Sequence, residues 1–189
     1  MTFQQVLVGV GIAYGGSEVV LAFALRSRGN LAKGTDRGSL GVIWTTIALA
    51  IFASIQVASR GAARLPGPML AWAVAGTAIL FAGLALRWTA ILTLRQAFTV
   101  DVAIARDQRI VDHGIYRLLR HPAYTGSLLA FLGMALVFGD WQAGLVLFLP
   151  ITAAFFYRIA VEERALRAAF GEDYDRYARR TKKLVPFVY

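Results

Sequence analysis

The chain has no cysteine among its 189 residues and only two histidines. The first absence excludes disulfides, thiolate nucleophiles and cysteine metal sites together. The second leaves His113 and His121, eight positions apart, a poor metal set, so no metal site is expected. Acidic residues are also scarce, 11 against 20 Lys and Arg, and charged residues of all kinds make up only 16%. No internal repeat is present, and no alternation of strand and helix patterns announces a nucleotide-binding α/β sheet. Met1 to Gln5 holds no basic residue, so the charged n-region of a signal peptide is missing and no cleavage is expected.

What is present is apolar. Hydrophobic residues make up 58% of the chain and the mean hydropathy is +0.58, which predicts one integral membrane domain whose partner is the lipid bilayer. The net charge of +9 does not point to nucleic acid, whose readers gather basic residues on one soluble face. Here the basic residues lie between apolar runs, where membrane topology and anionic headgroups account for them.

Val6 to Leu25 is long enough for a first span, interrupted only by Glu18. Gly11 and Gly15 suit a close helix contact better than a nucleotide loop. Glu18, a carboxylate inside the span, is a functional candidate by default, and the reading favoured over that is structural: it pairs within the bundle or lies near the interface. Leu40 to Ala58 is a second span with Trp44 near a membrane surface, and Ser59 to Pro68 is a turn. Met69 to about Leu86 is a third span, extending as a helix through Leu94, with Arg87, Trp88 and Arg95 as interfacial anchors. After a long polar connection from Gln96 to Ala123, Tyr124 to Phe138 and Ala143 to Ala160 form a tight helical hairpin about Gly139 to Gln142. Pro150 is expected to interrupt its second arm. A tail helix from Glu162 to Arg180 breaks at Gly171.

The fold predicted is all-α: five transmembrane helices, the last two a hairpin, and a cytosolic C-terminal helix. Residues 1–95 form a three-span bundle and 96–189 the catalytic region, within one structural domain. In that arrangement 18 of the 20 Lys and Arg fall on one side and only Arg60 and Arg64 on the other. The positive-inside rule then places the N-terminus outside and both the long loop and the tail in the cytosol. The short chain and compact loops suggest a prokaryotic inner membrane.

The site is expected in Gln108 to Gly126, QRIVDHGIYRLLRHPAYTG, facing Tyr157-Arg158 and Glu162-Glu163. A bilayer protein keeps such a polar segment where backbone and charge are satisfied by protein, water or ligand. Pro122 suits the first position of the fourth span and holds His121 at a helix N-terminus, which favours a carboxylate or phosphate. An interfacial histidine at an ordinary helix start fits the motif equally well. Arg158 and Glu162 share a helix face at i and i+4. They form either an interfacial ion pair or a site in which Glu162 meets a cation and Arg158 forks onto an anion. Spacing does not choose between these.

From about Phe98 onward the sequence resembles the isoprenylcysteine carboxyl methyltransferase family and its relatives among phospholipid N-methyltransferases. The resembling residues are Ile110-Val111 with Gly114-Ile115-Tyr116, Arg120-His121-Pro122-Ala123-Tyr124 with Gly126, Glu162-Glu163, Phe170-Gly171 with Tyr174 and Tyr177, and Leu184-Val185-Pro186-Phe187. The first three spans match only as hydrophobic segments. The resemblance implies an all-helical membrane enzyme that takes a methyl group from S-adenosylmethionine without a Rossmann domain. It further implies a cofactor pocket lined by Gln108, Arg109, Ile110, Val111, Tyr116, His121, Pro122, Ala123, Tyr124 and Glu162. Arg158 would hold the acceptor, and Leu184 and Pro186 would close over the pocket. Asp101 stands where the family has another polar cofactor contact, typically an amide.

A lipophilic or prenylated carboxylate is the expected acceptor, and being already ionised it needs no general base. A phospholipid amine or a thiol would need one, with His121, His113, Tyr116 and Glu163 the nearby candidates. A non-catalytic membrane scaffold is the competing class. Against it stand His121, Tyr124, Arg158 and Glu162 kept together at the membrane boundary. A channel or transporter ranks last, since the spans hold almost no charge apart from Glu18 and no inverted repeat is found.

Overall fold

The computed structural model describes residues 38–94 and 110–185, together with 9, 11, 12, 14–18 and 20 of the first apolar run. Gln108, Arg109, Asp101 and Pro186 lie outside the described residues. Within them the chain is all-helical: α1 (Gly38–Arg60), α2 (Met69–Leu94), a 3-10 turn (Gly114–Arg117), α3 (Pro122–Val137), α4 (Trp141–Phe170) and α5 (Glu172–Arg180). The described residues of the first run are helical as well.

Three of these helices, α1, α2 and α4, are long and apolar enough to cross a membrane. Large side chains such as Leu49, Phe52, Leu70, Val74, Phe81 and Leu149 lie exposed on them, as a lipid-facing surface requires. The third helix, α3, has 16 residues, about 24 Å at the helical rise and so short of the hydrocarbon thickness. At 30 residues, α4 is about 45 Å long and overshoots the hydrocarbon by roughly ten residues. Its last turns, from about Val161 on, therefore stand outside the apolar layer. Rather than being interrupted at Pro150, α4 runs through it. A span tolerates the lost hydrogen bond when its neighbours hold it, and here Leu147 and Ile151 are fully buried on either side.

In packing order the bundle runs α2 on α3, α3 on α4, and α4 on α1. On α1, Ser39, Ile43, Ile47, Ala50 and Ser54 make one buried stripe, the period expected of a helix with a single packed face. The two connections at the far end are knit together. Asp140 caps α4 by accepting from Ala143 N at 3.0 Å and also accepts from Ala63 N at 3.1 Å. Leu65 N donates to Gly139 O at 2.9 Å, and Trp141 N to Ala63 O at 3.0 Å.

The closest helix contact is between α2 and α3, through Gly76 and Gly83 on one side and Gly126 and Gly133 on the other. A Cβ added at Gly83 would lie 2.5 Å from Ala130 N, and one at Gly133 would lie 2.5 Å from Gly76 O. At Gly11 and Gly15, expected at a close helix contact, no described residue lies within 4 Å of an added Cβ. Small residues permit close approach only where a partner backbone is present, and the partner here belongs to α2 and α3. Glu18 pairs within the bundle, and Arg87 and Trp88 are its latch rather than free interfacial anchors. Arg87 binds Glu18 at 2.7 and 2.9 Å and Ser127 Oγ at 2.8 Å, while Trp88 Nε1 donates to Ser17 Oγ at 2.7 Å.

At the opposite end, beyond the apolar layer, the motif around His121 is held by Glu163. Its carboxylate accepts from Arg120 Nε at 2.9 Å and lies 3.5 Å from Arg167 and 3.7 Å from Lys183. Arg120 also donates from Nη1 to Ala178 O at 2.8 Å and Thr181 O at 2.6 Å, closing the end of α5. The chain after α5 then runs beside the motif: Arg120 N donates to Lys182 O and His121 N to Lys183 O. Thr125 Oγ1 donates to Leu184 O at 2.8 Å. The break at Gly171, with φ of 52°, turns α5 back for this. Burial by itself raises the Glu163 pKa, but the Arg120 guanidinium bonded to it and the His121 ring beside it prevail and hold it down at about 2.

Two outcomes are expected. Gly83→Ala should destabilise the detergent-solubilised protein by about 1–3 kcal/mol, because backbone cannot yield as a side chain does, whereas Gly11→Ala should leave thermal unfolding unchanged. Equal effects would place the tight contact elsewhere. The low pKa of Glu163 means that its stabilisation is complete above the ordinary carboxylate pKa of 4.5 and is lost as pH falls toward about 2. Glu163→Gln should cost about 3–5 kcal/mol at neutral pH and flatten the decline in melting temperature between pH 5 and 3. A variant as acid-sensitive as the wild type would remove Glu163 from that role.

Candidate active site

His121 is the N-cap of α3 and Pro122 its first residue, so proline's fixed φ and missing N–H start the helix where the sequence suggests. The imidazole is buried. Its Nδ1 lies 3.9 Å from Glu162 Oε2, and its Nε2 lies 3.4 Å from Glu163 Oε1 in an alignment that makes no hydrogen bond. One turn into α3, Tyr124 places its hydroxyl among Arg158 and Glu162. Its ring packs on His121 at 5.7 Å and on Phe155 at 5.4 Å.

Arg158 is only 3% exposed, and its Nη1 donates to Ser39 Oγ at the start of α1. Glu162, one turn further along α4, keeps about a third of its side chain exposed. The structure thus brings His121, Tyr124, Arg158 and Glu162 into one cluster, with a buried cation on its inner side and a carboxylate on its outer side. With Arg158 buried, it and Glu162 are not the solvated interfacial ion pair that is the commoner outcome of such spacing.

The other residues expected at the cofactor pocket are placed as follows. Tyr116 and Ala123 are buried together with Ala90 and Ile91, and Val111 packs against them. Tyr116 lies within electrostatic reach of Glu162 and Tyr124. Burial above all raises its pKa, with the Glu162 charge acting in the same direction. Its carbonyl accepts from Tyr177 Oη at 2.8 Å. Ile110 stands instead on an open groove of about 690 Å³, whose other walls include Asp112, Phe170, Arg176 and Tyr177. His113, a candidate base, is the exposed N-cap of the 3-10 turn. Leu184 is buried beside the motif.

Sequence reasoning missed Ser39, which falls just before the second span expected from Leu40. No spacing rule links a serine to an arginine 119 positions later. It also left Arg120 without a role, although an arginine preceding His-Pro with two glutamates downstream was a readable hint of an ion pair.

The cluster suits a ligand that carries both a cation and an anion. Glu162 offers negative charge at an accessible edge and Arg158 offers positive charge in a buried position.

The model for the phospholipid methyltransferase family matches residues 71–173. Protein-S-isoprenylcysteine O-methyltransferase B of Arabidopsis thaliana is 31% identical over 176 residues, 91% of this chain and 87% of that protein. A probable protein-S-isoprenylcysteine O-methyltransferase of Oryza sativa subsp. indica is 30% identical over 94% and 92% respectively. Methanethiol S-methyltransferase 1 of Bradyrhizobium diazoefficiens is 36% identical over only 39% of this chain. Among solved structures, the eukaryotic intramembrane Ras methyltransferase, isoprenylcysteine carboxyl methyltransferase, superposes with a TM-score of 0.58 at 24% identity. This covers 77% of the chain, which spans about half (52%) of that longer enzyme. That likeness is one of fold. Together with the apolar helices it makes this an integral membrane protein. With more than half its length inside the family model and near-complete alignment to these relatives, the chain belongs to the family that unites the phospholipid methyltransferases with the isoprenylcysteine carboxyl methyltransferases.

Proposed function

We propose that the protein is an S-adenosylmethionine-dependent membrane methyltransferase that esterifies the carboxylate of a lipophilic acceptor of the isoprenylcysteine type. The observation that carries this reading is the buried Arg158 beside Tyr124 and Glu162, at the end of α4 that overshoots the hydrocarbon. The relatives' reaction supports the same class.

When bound, S-adenosylmethionine supplies a methyl group on a sulfonium, with an excellent leaving group in place. What remains for the chain is positioning and exclusion of water. Arg158 holds the acceptor carboxylate, ionised at neutral pH, so no proton need be removed. Glu162 meets the cofactor's ammonium or a ribose hydroxyl, and His121, Pro122, Ala123 and Tyr124 line its pocket with Val111 and Tyr116. Gln108, Arg109 and Ile110 complete the proposed lining from the preceding loop. A neutral thiol, the acceptor named for the Bradyrhizobium relative, would need a base.

Five spans with the last two as a hairpin fit this reading, the short α3 crossing by local thinning or with its ends in protein. The 18 to 2 division of Lys and Arg then puts the N-terminus outside and the site in the cytosol, as in a prokaryotic inner membrane. The lipophilic acceptor would enter from the bilayer and the cofactor from water.

Glu162→Gln should weaken S-adenosylhomocysteine binding roughly 10- to 100-fold by calorimetry, the worth of a hydrogen bond to a charged group, while leaving the melting temperature unchanged. Unaltered affinity in a folded variant would remove Glu162 from the cofactor. Arg158→Ala should raise the acceptor KM by a similar 10- to 100-fold and the cofactor KM far less. The reverse pattern would reassign Arg158 to the cofactor.

A further inference from the structure

Ser39 is the second residue of α1 and is 1% exposed, at the end of the buried stripe that continues through Ile43, Ile47 and Ala50. Its hydroxyl accepts from Arg158 Nη1 across 119 residues of sequence. The Tyr124 hydroxyl reaches the same guanidinium from α3. Arg158 is therefore gripped between two helices that do not follow one another in the chain, while its own helix α4 packs against both.

We infer that Ser39 is a positioning residue for the methyl acceptor: by holding Nη1 it sets the plane of the Arg158 guanidinium and so the direction from which an acceptor carboxylate is met. This rests on the reading of Arg158 given above and extends it to the N-terminal half of the chain. A planar fork recognises a carboxylate by direction as well as charge, so rotating it costs affinity even when the charge remains. A long arginine side chain in a cavity has several rotamers, and each group that removes one of them lowers the entropy lost on binding. Satisfying the buried serine alone would require only some partner. Ser39 binds the buried cation Arg158, and this gives the contact consequences for the acceptor.

The test is Ser39→Ala in the full chain in detergent, beside Ser39→Thr and Arg158→Ala, with an N-acetyl S-isoprenylcysteine as acceptor and its carboxamide as inhibitor. Ser39→Ala should raise the acceptor KM about tenfold, the worth of one hydrogen bond to a charged group. S-adenosylhomocysteine affinity and carboxamide inhibition should stay as in the wild type, since neither uses the carboxylate contact. Ser39→Thr, which keeps the hydroxyl, should recover most of the loss, and Ser39→Ala should add nothing to Arg158→Ala. Equal weakening of acid and carboxamide would mark Ser39 as packing alone and overturn the inference. An unchanged acceptor KM in Ser39→Ala, with Arg158→Ala still impaired, would overturn it while sparing the role of Arg158. An unchanged KM in Arg158→Ala would sink the acceptor site itself.

Discussion

The carboxylate of Glu163 is the point on which the polar end of the molecule depends. It sits on α4, in the turns that overshoot the hydrocarbon, and is surrounded by Arg120, Arg167, Lys183 and the ring of His121. Three separate pieces of chain converge on it: the segment preceding α3, the helix α4 itself and the residues after α5. A single buried charge with several cationic partners is costly to assemble and more costly to leave half-assembled. Once formed it admits few alternative arrangements, and the two residues on either side of it, His121 and Glu162, are placed as a consequence.

The apolar interior between α2 and α3 is organised differently. There is little charge to order it, so α2 and α3 are joined by backbone contact through paired glycines. The ion pair of Glu18 with Arg87 extends that joint to the first apolar run. Arg87 also reaches Ser127 Oγ, and more distantly the carbonyl of Ala123, at the start of α3. The helix that begins with the His-Pro motif is thus fixed from inside by glycine packing and from outside by Glu163. A site whose groups must meet a ligand within fractions of an ångström needs that kind of support from both ends.

Between these two fixtures lies a gradient of accessibility. Glu162 keeps a third of its side chain exposed, His121 almost none, and Arg158 is enclosed with Ser39 and Tyr124. A water-borne cationic group and a bilayer-borne anion would approach such a cluster from different sides. Methyl transfer needs that geometry more than it needs an acid or a base, and no tuned proton donor is required of the cluster.

Much of this was legible in the residues themselves. Apolar runs and turn residues are local signals, and they located α1, α2, α4 and the break at Gly171, because the hydrocarbon imposes length and polarity on each segment separately. The His-Pro start of α3 was equally plain, since proline acts on its own backbone and its neighbour's. The sequence by itself determined which residues are charged at the membrane boundary and which helix each belongs to. It did not determine their partners. That Glu18 joins Arg87, that close packing falls on Gly76, Gly83, Gly126 and Gly133 rather than Gly11 and Gly15, and that Ser39 holds Arg158 were decided by tertiary structure. The physical reason is that a helix pattern specifies a face, whereas a hydrogen bond or a backbone contact requires two faces at a given register, and register is a property of the packed pair alone.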